Sequence, residues 1–248
     1  MITHGYASGP PPSILSILTK QKVGVGREDG VSAGEFSPIF YRRSVRPPYF
    51  PLMCISHDEH SSVLTLLSTD TFWLSHEPFT PGSWFPGAGT PRLATCAHFR
   101  YTGGGELILL NTHLDHVSDA QRRLGAAMLL HRAQHEANLK PGIPIFVTGD
   151  FNSSAKGEDE GAYAVLTGAQ KPPPVPDEFA RRFARGGEEP LVMRDVRVEA
   201  PRVRVGGEWA TFTGFKRRKK DEACIDFVFG RSGVAWCVFL FCFCFCVG

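Results

Sequence analysis

NTHLDH at positions 111–116 and PIFVTGDFN at positions 144–152 are the two segments that decide the fold. Each carries polar residues directly after a short apolar run, LILL at 107–110 and IFV at 145–147. A helix-length segment separates them, and a strand–helix–strand unit of this kind makes its two strands parallel. Open α/β sheets bind ligands at the carboxyl ends of such strands. The sequence therefore predicts half of an active site at one edge of a sheet.

The segment between these motifs predicts the clearest helix of the chain, over residues 119–138. Its N-cap is Ser118 or Asp119, and Pro141 and Gly142 stop it. Leu124, Ala127, Met128 and His131 lie on one face, since 127 and 128 follow 124 by three and four residues and 131 follows 128 by three.

Other parts of the chain predict strands and loops. Apolar runs that indicate strands lie at 38–41, 62–67, 93–99 and 223–229. Residues 68–92 mix aromatic residues with Pro and Gly, as a long surface loop does. Trp73, Trp84, Phe85 and Tyr101 could stack on a base or sugar, although packing in the core or in loops is the commoner role of such residues. The glycine-rich segment 24–36 is a turn-rich connection, since no Walker-type lysine accompanies it.

Composition describes an ordinary globular protein. The 248 residues are 42% hydrophobic and 21% charged, with a net charge of +2, so no global charge attracts nucleic acid. The basic run at 216–220 is either a polyanion contact or a solvated loop. Cys54, Cys96 and Cys224 have no zinc-like spacing and indicate buried free thiols.

The two ends of the chain carry no clear targeting signal. The start lacks the pattern of a signal peptide, so secretion has no support and the localisation stays open. Residues 234–247 are apolar throughout but shorter than the roughly 20 residues that span a bilayer as a helix. Their Phe/Cys alternation suits a strand, and such a segment aggregates unless it is covered. We expect neither a membrane span nor a protein partner.

Four polar residues are candidates for chemistry. His113 follows an apolar strand, where an imidazole can donate a proton or hydrogen bond to an oxyanion; the alternative is a cap at the strand end. Asp150 and Asn152 lie two residues apart and combine a charged acceptor with an amide donor, or else close the strand as an Asx turn. Asp226 lies within the apolar CIDFVF and needs a partner, a metal or the edge of a site.

Taken in order, WLSHEP at 73–78, NTHLDH, VTGDFN at 147–152 and CIDFVF at 224–229 resemble the motifs of the endonuclease/exonuclease/phosphatase superfamily, which has a deoxyribonuclease-like fold. The resemblance runs from about Val23 to Phe229, and the segment 24–41 also resembles microbial members. It implies an α/β (α+β) fold, a two-layered β sandwich flanked by helices. It divides the chain into a poorly defined segment 1–22, the superfamily domain 23–230 and an atypical apolar tail 231–248.

The resemblance also implies a function. Members hydrolyse phosphodiester or phosphomonoester bonds, usually with Mg²⁺ or Mn²⁺. By this likeness His113 contacts the scissile phosphate, Asp150 orients the attacking water, Asn152 binds a phosphate oxygen, and Asp226 acts at the metal or phosphate. Asp150 and Asp226 are then the metal ligands. The substrate is a phosphate ester, with nucleic acid as one option, and its identity lies in loops whose shape the sequence does not fix.

Two motifs of the superfamily are missing from this sequence. Nothing before Gly24 supplies the early asparagine or the Gln-Glu pair whose glutamate holds the metal, and no histidine or acidic residue follows Asp226 to form the Ser-Asp-His ending. Because phosphoryl transfer depends on positioning and charge stabilisation, we expect weak metal binding and impaired hydrolysis in a fold incomplete at both ends. The alternatives are a non-catalytic phosphate-binding remnant or a truncated, aggregation-prone product.

Overall fold

The computed structural model describes residues 18–44, 64–101, 104–157, 160–184, 186, 191–200, 209–214 and 222–231. These ranges form the strands β1 (Leu18–Val23), β2 (Ile39–Ser44), β3 (Leu64–Trp73), β4 (Leu93–Tyr101), β5 (Glu106–His113), β6 (Ile145–Asp150), β7 (Met193–Asp195) and β8 (Asp226–Arg231). They also form the helices α1 (Asp119–Leu139), α2 (Gly161–Leu166), α3 (Asp177–Arg182) and α4 (Val196–Glu199).

Two sheets build the sandwich. Strands β1 and β2 pair as an antiparallel hairpin, and the other six strands form a mixed sheet in the order β3-β4-β5-β6-β8-β7. Within this larger sheet only β5 and β6 are parallel to each other, and α1 connects them. The predicted strand–helix–strand unit is therefore confirmed, and so is the sandwich flanked by helices.

Strand β5 is apolar without alternation because both faces of the sheet are covered. Ile108 and Leu110 belong to the larger core beneath α1, whereas Leu107 and Leu109 belong to a smaller core on the opposite face. That smaller core includes Ile39 of β2. The two layers thus bury alternate residues of one strand on opposite sides.

Helix α1 begins where the sequence predicts. Ser118 is the N-cap, and its side chain accepts a hydrogen bond from the backbone N–H of Gln121. The helix continues to Leu139 and buries Leu124, Ala127, Met128 and His131, the face that the spacing predicts. Because α1 starts directly after the end of β5, its first turn lies beside the predicted site. None of the helices in the described residues is long and apolar enough to cross a membrane.

Several boundaries differ from the sequence predictions. Residues 68–73 continue strand β3 instead of belonging to a surface loop, because they pair with β4 through to Trp73. Strand β8 begins at Asp226, three residues later than predicted, and strand β1 starts within the segment 1–22. Cys96 is a buried free thiol as expected, whereas Cys224 is a free thiol that is only partly buried. Cys54, the basic run 216–220 and the tail 232–248 lie outside the described residues.

Candidate active site

Strand register brings three of the four predicted site residues to one edge of the larger sheet. His113 of β5 lies opposite Asp150 of β6, and Asp150 lies opposite Asp226 of β8. His113 and Asp150 are each the last residue of their strand, whereas Asp226 is the first residue of the antiparallel β8. All three side chains therefore come from the same end of three neighbouring strands.

Direct contacts join this cluster to Asn152. The Nε2 atom of His113 lies 3.5 Å from Oδ2 of Asp150. The other carboxylate oxygen of Asp150 accepts a hydrogen bond of 2.8 Å from the backbone N–H of Asn152. The amide group of Asn152 donates to the carbonyl of Leu114 at 2.9 Å, which uses one of its two N–H groups. The structure thus brings all four predicted site residues together.

The pKa values of the two aspartates are raised. Burial raises the pKa of Asp226 to about 6, with a hydrogen bond from Thr211 opposing the shift and the nearby charge of Asp150 adding to it. Burial likewise raises the pKa of Asp150, against the opposing charge of His113. Burial is thus the main cause of both raised pKa values, and perturbed carboxyl groups of this kind are a feature of functional sites.

Glu35 completes the site, although it is not among the residues that the sequence motifs predict. Its carboxylate accepts a hydrogen bond of 2.7 Å from Nδ1 of His113 and forms a 2.5 Å ion pair with Arg27. The hydrogen bond with His113 is the main reason that the pKa of Glu35 falls to about 2; burial opposes it, and the charges of His113, Arg27 and Arg92 add to it. Because an ionised carboxylate only accepts, Nδ1 carries the hydrogen and Nε2 faces Asp150.

A buried ion pair lies next to the backbone segment that carries His113. The side chains of Arg92 and Asp115 are 4% and 0% exposed and approach to 3.3 Å. Arg92 also donates to the carbonyl of His113 at 3.4 Å and contacts Nδ1 of His116 at 3.1 Å. Burial alone would raise the pKa of Asp115, but backbone N–H donors, chiefly from Ser118, and the charge of Arg92 hold it at about 2. The pair therefore fixes the backbone that carries His113.

The described residues offer two carboxylates to a cation, Asp150 and Asp226. No group of three or more His, Cys, Asp or Glu side chains in these ranges is arranged to hold a metal ion. Mg²⁺ binds through one or two protein carboxylates together with water and substrate phosphate, so this pair fits such an ion with few protein ligands.

Solved structures share this fold. An endonuclease/exonuclease/phosphatase from Bacteroides vulgatus matches with a TM-score of 0.62 and 29% identity, over 86% of this chain and 65% of that one. In its fold and in part of its sequence, this chain is thus similar to a member of the endonuclease/exonuclease/phosphatase superfamily. A mannosyl-6-phosphatase from Bacteroides thetaiotaomicron matches with a TM-score of 0.57 and 23% identity, over 86% of this chain and 63% of that one.

A second endonuclease/exonuclease/phosphatase family protein from Bacteroides thetaiotaomicron gives a TM-score of 0.56 at 23% identity, over 85% of this chain and 60% of that one. The superfamily resemblance and the fold class that the sequence predicts are thus confirmed. The chain spans 60–65% of the length of these three structures. No protein-family model and no curated protein sequence matches it.

There is a physical reason why the sequence does not predict the role of Glu35. It is 78 residues from His113 in the chain and reaches the site through the connection between β1 and β2. Glycine-rich segments usually indicate turns, and nothing local distinguishes a solvated glutamate from one that meets a histidine. One signal was available, the position of Glu35 inside the segment that resembles microbial members of the superfamily.

Proposed function

We propose that this chain is a phosphoesterase that hydrolyses phosphodiester or phosphomonoester bonds at the site formed by His113, Asp150, Asn152 and Asp226. The supporting observation is their convergence: an imidazole, an amide and two carboxylates meet at one end of three neighbouring strands. This set offers a proton carrier, a hydrogen-bond donor for a phosphate oxygen and an acceptor for an attacking water.

Each residue has a role that its contacts allow. Glu35 orients His113 through Nδ1, so that Nε2 is available to the scissile phosphate. Asn152 has a second N–H group beyond its bond to Leu114, and that group donates to a phosphate oxygen. One oxygen of Asp150 is held by the backbone of Asn152, and the other lies on the side of His113, where it accepts a hydrogen bond from the attacking water.

Asp150 and Asp226 are the residues that would hold Mg²⁺ or Mn²⁺. Such an ion neutralises charge that builds up on the transferred phosphoryl group. Because the described residues contain no group of three or more His, Cys, Asp or Glu side chains arranged to hold a metal ion, and because Glu35 is taken up by His113 and Arg27, we infer weak metal binding and slow turnover.

The decisive experiment is hydrolysis of p-nitrophenyl phosphate and bis(p-nitrophenyl) phosphate by the purified full chain in MgCl₂. We expect slow turnover that is abolished in His113→Ala and Asp150→Asn. His135→Ala and Asp177→Asn are the matched controls, since they lie on α1 and α3. Equal rates in His113→Ala and His135→Ala would refute the proposal.

The shortage of metal ligands favours one second candidate, a phosphate-binding protein without turnover. Isothermal titration calorimetry with inorganic phosphate and with MgCl₂ distinguishes these two hypotheses. Phosphate binding that depends on His113 and Asn152, with no Mg²⁺ binding and no hydrolysis, would replace the first proposal by the second.

A further inference from the structure

The four aromatic residues that the sequence offers for stacking have different environments in the structure. Trp73 is 5% exposed and donates its indole N–H to the carbonyl of Arg27. Phe85 packs against the larger core, and Tyr101 packs against the smaller one. Trp84 differs from all three, because 55% of its surface is exposed.

The indole of Trp84 is held in place by its own loop. Its Nε1–H donates to the carbonyl of Ala88 at 2.9 Å, and the backbone N–H of Ala88 donates to the carbonyl of Phe85 at 3.0 Å. The one polar atom of the ring is thus already satisfied. What the side chain offers to a ligand is its apolar face, at little additional ordering cost because the ring is already fixed.

This loop lies directly against the segment that carries the proposed catalytic histidine. The backbone N–H of Gly89 donates to the buried carboxylate of Asp115 at 3.0 Å. A Cβ at Gly89 would lie 2.9 Å from Cε1 of His116 and 3.0 Å from Cγ2 of Val117. Val117 is itself 60% exposed, which makes it a second apolar group on this side of the site.

Arg92 connects this apolar surface to the phosphate-binding side of the cluster. Its guanidinium contacts His116 at 3.1 Å and the carbonyl of His113 at 3.4 Å. His113 and the exposed indole of Trp84 therefore belong to two segments in direct contact, residues 84–92 and 113–117.

We propose that Trp84 and Val117 form a stacking platform for the alcohol part of the substrate, so that the site prefers phosphate esters of planar aromatic groups, including nucleosides, over esters of sugars. The inference rests on the proposed phosphoesterase function. A sugar can also lie on a ring, but its hydroxyl groups need converging hydrogen-bond partners, whereas a planar aromatic group makes full stacking contact with an exposed ring face alone.

The test is equilibrium binding of 1-naphthyl phosphate, glucose 6-phosphate and inorganic phosphate to the full chain. We expect 1-naphthyl phosphate to bind at least tenfold more tightly than the other two. The variant Trp84→Ala should weaken its binding about 5- to 150-fold, the usual range for removing an aromatic stacking partner. Binding of inorganic phosphate should stay unchanged in this variant, a result that damage to the fold would not give.

Two further variants support the test, one as a second probe of the platform and one as a control. Val117→Ser should also weaken the binding of 1-naphthyl phosphate, and this variant provides the test if Trp84→Ala fails to fold. Leu139→Ala is the matched control, since Leu139 is 64% exposed at the far end of α1 and should change nothing.

The two proposals fail in different ways. Equal affinity for 1-naphthyl phosphate and inorganic phosphate would overturn the platform and leave the phosphoesterase function standing. Loss of all binding and hydrolysis in the unmodified chain would overturn both.

Discussion

Replacing Asp115 by alanine should cause a large loss of stability. This carboxylate is 0% exposed and lies against the guanidinium of Arg92, itself 4% exposed. It also accepts hydrogen bonds from backbone N–H groups at 2.9 to 3.1 Å, those of Gly89, Val117 and Ser118. The substitution therefore removes the counter-charge of a buried arginine and the shared partner of two chain segments.

The size of the effect follows from burial. Removing one partner of a buried ion pair destabilises a protein by about 3–5 kcal/mol, because the remaining charge stays uncompensated. For a domain of this size each 1 kcal/mol lowers the melting temperature by about 2–4 °C, so Asp115→Ala should melt about 6–20 °C lower.

Asp29→Ala is the matched control for this prediction. The carboxylate of Asp29 also accepts three backbone N–H groups, from Val31, Ser32 and Ala33, but in an exposed loop. Its removal should reduce the free energy of unfolding much less, because water can take over the exposed backbone N–H groups.

Urea unfolding of both variants and of Asp115→Ala/Arg92→Met provides the measurement. The double variant should be more stable than Asp115→Ala, because replacing both partners by apolar groups leaves no buried charge. A loss in Asp115→Ala no larger than in Asp29→Ala would show that Arg92 finds another partner or water, and the argument from burial would be wrong.

Three further predictions follow from single residues. Gly149→Ala should destabilise the chain strongly, because the φ of Gly149 is +138° and a Cβ there would collide with the backbone of Thr112. Gly157→Ala should lower the melting temperature far less, because Gly157 also has a positive φ but has open space around it, and thermal melts of the two variants test this. The wild type should be more stable than Glu35→Gln by its full margin above pH 4.5, and this margin should vanish as the pH falls to about 2, because the fold lowers the pKa of Glu35. A melting-temperature difference that stays constant across this range would contradict the prediction. Wild-type stability relative to Asp226→Asn should fall as the pH rises from 3.8 to about 6, because the fold raises that pKa; a rise over this window would disprove the sign.

Local sequence patterns predicted the framework of the site well. The apolar runs before NTHLDH and GDFN fixed two neighbouring parallel strands, and their register alone places His113 beside Asp150. Asp226 was predicted as a site residue because a lone carboxylate in an apolar strand is stable only beside a partner, a metal or the edge of a site. In the structure it lies half-buried at the edge that carries His113 and Asp150. These predictions depend on pairing rules that act over a few residues.

The supporting residues were not predictable in the same way. Arg92 and Asp115 are 23 residues apart, and neither belongs to an apolar pattern that would reveal its burial. Exposure of Trp84 was equally hidden, since a loop rich in aromatic residues gives no sign of which ring packs inward. Such features are set when a long loop folds back on the sheet, and only tertiary structure contains that information.

The site holds carboxylates in opposite environments, and this bears on how it would work. Glu35 has its pKa lowered to about 2 by His113 and two arginines, so it stays ionised and keeps the hydrogen on Nδ1 of the imidazole. Asp226 has its pKa raised to about 6 by burial and by Asp150, so its charge depends on conditions near neutrality. Pairs of groups whose pKa values are pushed apart are typical of sites that divide acid–base work. Under the proposed function, Glu35 would thus keep His113 oriented over a wide pH range, whereas the pH dependence of hydrolysis would come from Asp226 at the edge formed by β6 and β8.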